Sequence, residues 1–135
     1  MKKWMACVAA VSLALVGCGG DSTCDDLADA NDFAADQAAA CRNVIDESYF
    51  EKSTDEERDQ CKDALEDCSD SDKDAIKDVA DCINDLPKCS ASDSEPFEAA
   101  YGACFTTLVT KVSRACAASI SASSLKVPAN YSIAR

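Results

Sequence analysis

Apolar residues recur at three- and four-residue intervals through most of the chain, and no stretch alternates apolar and polar as a half-buried strand would. This spacing predicts four helices. The first carries Leu27, Ala34, Ala38, Cys41 and Ile45, and the second Cys61, Ala64, Leu65 and Cys68. The third carries Ile76, Val79, Ala80, Ile83 and Leu86 and stops at Pro87. The fourth has the strongest stripe: Phe97, Tyr101, Cys104, Phe105, Leu108, Val109, Val112, Cys116 and Ile120. Each is preceded by a hydroxyl residue with a carboxylate three positions later: Thr23 and Asp26, Thr54 and Glu57, Ser71 and Asp74, Ser92 and Glu95. Such pairs satisfy free N–H groups at a helix start, and the acid complements the helix dipole. Pro96 falls in the first turn of the last helix, where its missing N–H costs little. The expected fold is all-α: a small disulfide-rich four-helix bundle, or a pair of helical hairpins, over residues 24–120. Residues 121–135 are Ser-rich, contain Pro128 and read as a flexible tail.

The N-terminus has a different pattern. Lys2 and Lys3 precede Met5 to Val16, which hold no charge and one hydroxyl, Ser12. That run is shorter than the roughly 20 residues a spanning helix needs. It suits the apolar region of an export signal. It closes on Leu15-Val16-Gly17-Cys18. This segment resembles the lipobox of bacterial lipoproteins: an aliphatic residue, a small or aliphatic one, Gly or Ala, then Cys. The resemblance covers residues 1–18 and implies that Cys18 is diacylated on sulfur and that residues 1–17 are removed. It further implies anchoring in the cell envelope on the extracytoplasmic face. Gly19 stands where an Asp would retain an enteric relative at the inner membrane, so the outer membrane is expected. Each buried acyl CH₂ contributes about 0.8 kcal/mol, so two or three chains anchor stably. Residues 19–23 read as a tether that reaches at most about 18 Å.

Composition narrows the partners. The 135 residues hold 13 Lys and Arg against 25 Asp and Glu, a net charge of −12, and the leader removes two of the lysines and none of the acids. A chain of this size supports one domain. The charge argues against nucleic acid, whose binding rests on neutralised phosphates. It argues equally against docking on anionic head groups. Membrane contact is therefore expected through the N-terminal acyl chains, and the other partner considered is an envelope protein. The chain has no histidine, which excludes His-based acid–base catalysis, serine triads and His-containing zinc sites. No motif calls for a cofactor.

The chain holds ten cysteines. With Cys7 in the leader and Cys18 assigned to lipid, Cys24, Cys41, Cys61, Cys68, Cys82, Cys89, Cys104 and Cys116 remain. An even set in an exported chain reads as four disulfides. No Cys-x-x-Cys pair is present to suggest zinc or a reactive dithiol. Cys41, Cys61, Cys82 and Cys104 are each followed four residues later by Ile45, Leu65, Leu86 or Leu108, on the same helix face. In helices that run up and down, these cysteines fall at similar heights. Cys41–Cys61 and Cys82–Cys104 are the preferred pairs, and Cys61–Cys82 with Cys41–Cys104 is equally allowed. Cys24 with Cys116 fits the membrane-proximal end. Cys68 with Cys89 is left over and fits poorly.

Few residue clusters suggest chemistry. Asp70-Ser71-Asp72-Lys73-Asp74 resembles the start of an EF-hand loop, but Ala75 replaces the turn Gly and Asp81 the bidentate Glu. Asp25-Asp26, Asp55-Glu56-Glu57 and Glu66-Asp67 read as solvated faces and helix-start charges rather than acid–base pairs. Tyr49-Phe50 reads as the closure of a bundle end. Phe97, Tyr101, Phe105 and Leu108 read as core more than as the lining of a lipid cavity. Plant lipid-transfer proteins are similar in helix and disulfide count, yet their Cys-Cys and Cys-x-Cys elements are missing here. The expected role is non-enzymatic: a lipid-anchored envelope lipoprotein, structural or protein-interacting. The alternative is a small extracytoplasmic binding module for an apolar ligand or calcium.

Overall fold

Alanine dominates the buried face of the first helix. Ala28, Ala30, Ala34, Ala35 and Ala38 are buried there beside Cys24 and Leu27. Small side chains let a neighbouring helix approach closely, and the neighbour supplies the bulk. In the computed structural model, which describes residues 18–45 and 51–122, that neighbour is the third helix. The leader, Tyr49-Phe50 and the tail beyond residue 122 lie outside the described residues.

The elements are α1 (Cys18–Ala38), a 3₁₀ turn (Ala39–Cys41), α2 (Asp55–Ala64), α3 (Asp70–Asn84), α4 (Glu95–Lys111) and α5 (Arg114–Ala122). The protein is all-α, and no strand occurs among the described residues. The third helix lies between α1 and α4, whereas α2 rests on α1 and α5. Ile76, Val79 and Ile83 of α3 are buried, and so are Phe97, Tyr101, Phe105 and Leu108 of α4. Tyr101 stacks on Phe97 at 6.3 Å and meets Phe105 edge-on at 5.1 Å. Burial pushes the Tyr101 phenol up to about 12.

Two helix starts differ from the sequence expectation. The first helix begins at Cys18, so Thr23 is an interior, buried residue rather than a cap. The third begins two residues early, capped by Ser69 with Asp72 instead of Ser71 with Asp74. Both pairs have the capping spacing. Ser69 wins because Asp72 thereby enters the interior, where it finds further donors. The start at Thr54 is a capping box as expected: Glu57 N–H donates to Thr54 Oγ1 at 3.2 Å, and Thr54 N–H to Glu57 Oε2 at 2.7 Å. Ser92 does not cap α4. Its hydroxyl bonds Ser90 at 2.9 Å in the preceding turn, while Ser94 precedes α4 and donates to Glu98 at 2.7 Å.

The predicted fourth helix is two helices. Val112 adopts an extended conformation (φ −84°, ψ 137°), and α5 starts afresh behind Ser113. Ser113 Oγ accepts from Cys116 N–H at 3.3 Å. Thr110 Oγ1 donates to the carbonyls of Thr106 and Thr107 at 3.3 and 3.1 Å, local bonding that weakens a helix end. The apolar stripe runs on through Cys116 and Ile120 because α5 presents them to the same core.

Four disulfides cross-link these helices. Cys82–Cys104 staples α3 to α4, as expected, with Cα atoms 5.6 Å apart. The other three differ from the height argument. Cys24–Cys61, and not Cys41–Cys61, staples α1 to α2 at 5.8 Å. Cys41 pairs with Cys89 at 5.9 Å, and Cys68 with Cys116 at 4.6 Å. The Cys24–Cys116 and Cys68–Cys89 pairings therefore do not form. Helices that are neighbours in sequence are not all neighbours in space. In fact α1 packs mainly on α3, so the segment after α3 passes the end of α1. Cys89 N–H donates to the Gln37 carbonyl at 3.0 Å beside that bridge.

A disulfide typically contributes about 2–4 kcal/mol, so four match the whole stability of a small domain. Complete reduction should abolish the helical far-UV circular dichroism signal. A signal that survives with all eight thiols alkylated would show that the apolar core suffices alone.

Candidate functional site

The described residues bury one carboxylate, Asp72, which is 3% exposed. Its four hydrogen bonds come from two serines far apart in sequence. Ser69 donates from N–H at 2.9 Å and from Oγ at 2.8 Å, both to Oδ2. Ser113 donates from N–H to Oδ1 at 2.7 Å and from Oγ to Oδ2 at 2.9 Å. One carboxylate thus closes the N-terminus of α3 and fixes the residue that caps α5. Burial opposes its charge, yet the bonds from Ser113 and Ser69 outweigh that penalty and lower its pKa from 3.8 to about 2.

This geometry decides the EF-hand resemblance. Asp70 to Asp74 form the first turn of α3 and not a loop. A calcium loop needs its oxygens to converge on one point, and the Asp72 oxygens are already engaged by Ser69 and Ser113. Among the described residues no group of three or more Cys, Asp or Glu is placed to hold a metal ion.

A second polar cluster joins α1 to α2. Asp25, Asp29 and Asp32 recur at helical spacing along α1. Arg58 of α2 reaches all three, at 3.5, 3.1 and 4.0 Å. The bond to Asp29 leads in raising the Arg58 pKa. Asp32 also accepts from Ser53 N–H at 2.7 Å. Other acids bridge helices singly: Asp26 to Lys77 at 3.6 Å, Asp78 to Lys111 at 3.3 Å, and Asp67 to Ser119 Oγ at 3.1 Å. Asp55, Glu56 and Glu57 occupy the first turn of α2. The carboxylate pairs noted in the sequence therefore tie helices together or start them, and they do not converge on a cleft.

Of the residues singled out in the sequence, Cys18 is the first residue of α1. The eight cysteines from Cys24 to Cys116 pair among themselves. The aromatic stripe of α4 is core. Sequence reasoning missed Ser113 and Arg58. Ser113 is followed by no acid at the capping position, so its start carries no signature. Arg58 was findable from the acidic stripe on α1, which one cation on an adjacent helix would satisfy. Compared with known proteins, the chain matches no family model, no curated protein and no solved structure.

The Asp72 pKa is lower in the folded state than in the unfolded one, so its contribution is complete above about pH 4 and is lost as pH falls toward 2. The shift corresponds to on the order of 2 kcal/mol. Asp72→Asn keeps one acceptor oxygen and, in either orientation, puts an N–H₂ group against a backbone N–H: that of Ser113 at the Oδ1 position, or that of Ser69 with both hydroxyls at the Oδ2 position. Urea unfolding at pH 7 should show it destabilised by about 2–3 kcal/mol, with the gap to the wild type narrowing toward pH 2. An unchanged gap at pH 2 would show that the carboxylate charge is not what Ser69 and Ser113 stabilise.

Proposed function

We propose that the protein is a non-enzymatic, lipid-anchored lipoprotein of the bacterial cell envelope, with a structural or protein-interaction role. The observation that carries this reading is the run Leu15-Val16-Gly17-Cys18 behind Lys2, Lys3 and an uncharged apolar stretch. The disulfide pattern supports it independently. The eight cysteines from Cys24 onward form a closed set of four bonds, so Cys18 is not needed by the framework. No described helix is long and apolar enough to cross a membrane; the anchor proposed is acyl chains on Cys18. The expected face is extracytoplasmic, and Gly19 favours the outer membrane.

The structure bears on how such an anchor would hold the domain. Gly19 to Thr23 continue α1 backward to Cys18. A helical rise of about 1.5 Å per residue brings Thr23 roughly 7.5 Å from Cys18, less than half the reach of an extended spacer. The domain would then sit directly on the bilayer. The acidic surface disfavours anionic head groups there, so contacts with another envelope protein are the more favourable use of the exposed faces.

A non-enzymatic role accords with the use of the polar groups. The sole buried carboxylate among the described residues is committed to four hydrogen bonds, and the chain has no histidine.

Mass spectrometry of the protein from native membranes should find residues 1–17 absent and Cys18 carrying a diacylglyceryl group. An unmodified Cys18, or cleavage elsewhere, would overturn the anchor. Cross-linking in intact envelopes should recover a protein partner, and thermal melts should be insensitive to calcium and to phospholipid. A melting shift of several degrees with either would favour a binding module instead.

A further inference from the structure

Seven of the eight paired cysteines are buried, none more than 7% exposed. The exception is Cys82, which lies exposed on α3. Its partner Cys104 is 3% exposed. Thiol–disulfide exchange requires a thiolate to reach one sulfur of the bond, so access decides which disulfide reacts. We propose that Cys82–Cys104 is a thiol–disulfide exchange site, attacked at Cys82, while the other three bonds are structural. This inference does not depend on the lipid anchor.

The direction of the reaction follows from the two exposures. An external thiolate attacks Cys82 Sγ, and the Cys82–Cys104 bond breaks. A mixed disulfide forms on Cys82, and Cys104 leaves as a thiolate that takes a proton from water. A second external thiol then displaces Cys82, giving two protein thiols and one oxidised reagent disulfide. Attack from the Cys104 side is closed by the α4 core.

Opening this bond leaves the helices in place. It closes the shortest loop of the four, with a separation of 22 residues against 37, 48 and 48. A short loop restrains the unfolded chain least. Val79, Ile83, Phe97 and Phe105 continue to bury the contact between α3 and α4, and Lys111 still bridges to Asp78. The surroundings also select the attacking thiolate. Asp81 adjoins Cys82 and Asp85 follows it by one helical turn, and both are exposed. They repel anionic nucleophiles, an effect that salt screens.

Graded reduction of the oxidised full chain by dithiothreitol or reduced glutathione at neutral pH, quenched by alkylation and mapped by peptide mass spectrometry, tests the proposal. Cys82 and Cys104 should be labelled at least about tenfold faster than any of the other six disulfide-bonded cysteines, with the helical circular dichroism signal retained. The glutathione adduct should be trapped on Cys82, and its rate should rise with salt more than that of dithiothreitol, whose attacking thiolate carries less negative charge than glutathione's. Comparable labelling of another pair, loss of helix in step with the first labelling, or an adduct on Cys104 would overturn it. The double variant Cys82→Ala with Cys104→Ala should fold, hold its three remaining disulfides and resist the same reductant. Failure of that variant to fold would make the bond structural and the proposal wrong.

Discussion

Close approach of α1 to α3 across a surface of alanines organises the protein. Ala30, Ala34 and Ala38 bury little apolar area themselves, but they admit Ile76, Val79 and Ile83 to the space beside them. The arrangement brings helices together that are not consecutive in the chain. It also limits how much a hydrophobic core of this size can supply. Cys41–Cys89 and Cys68–Cys116 compensate by joining the α1–α2 hairpin to the α3–α4–α5 unit at two places. The remaining two bonds lie within each unit.

Asp72 does for the backbone what the disulfides do for the side chains. A break between α4 and α5 exposes N–H groups that a continuous helix would have satisfied. Ser113 meets one of them and is itself held by Asp72. The break lets α5 turn toward α2 and carry Cys116 to Cys68. A buried charge is costly unless its lone pairs are filled. Here four donors fill them, so the cost becomes a fixed point in the fold.

The all-α class and the large apolar core positions were legible from apolar spacing, whereas Ala28, Ala30 and Ala35 of α1 were not, because alanine is too weakly apolar to mark the face it lies on. Cys82–Cys104 was legible because α3 and α4 are consecutive and pack on each other. Cys24–Cys61, Cys41–Cys89 and Cys68–Cys116 were not, since they depend on which helices touch, and periodicity carries no record of that. The Ser69 start was masked by Ser71, two residues on, which offers the same spacing. The break at Val112 and Ser113 left no trace, because the apolar stripe passes straight through it. The candidate anchor is written in the leader as a local motif, whereas the exposure of Cys82 emerges only from three-dimensional packing.

The disulfide pattern has a bearing on how the chain acquires its bonds. No native bond joins two cysteines that are neighbours in sequence order: Cys24 skips Cys41 to reach Cys61, Cys41 and Cys68 each skip three, and Cys82 skips Cys89. A chain oxidised in the order in which its cysteines are synthesised would begin with Cys24–Cys41 and end with Cys104–Cys116, all non-native. Oxidation must wait for helices to dock, or wrong bonds must be exchanged afterwards, a process that takes seconds to hours. Maturation of this small domain is thus set by the timing of sulfur chemistry relative to collapse, and not by helix formation, which is faster by many orders of magnitude.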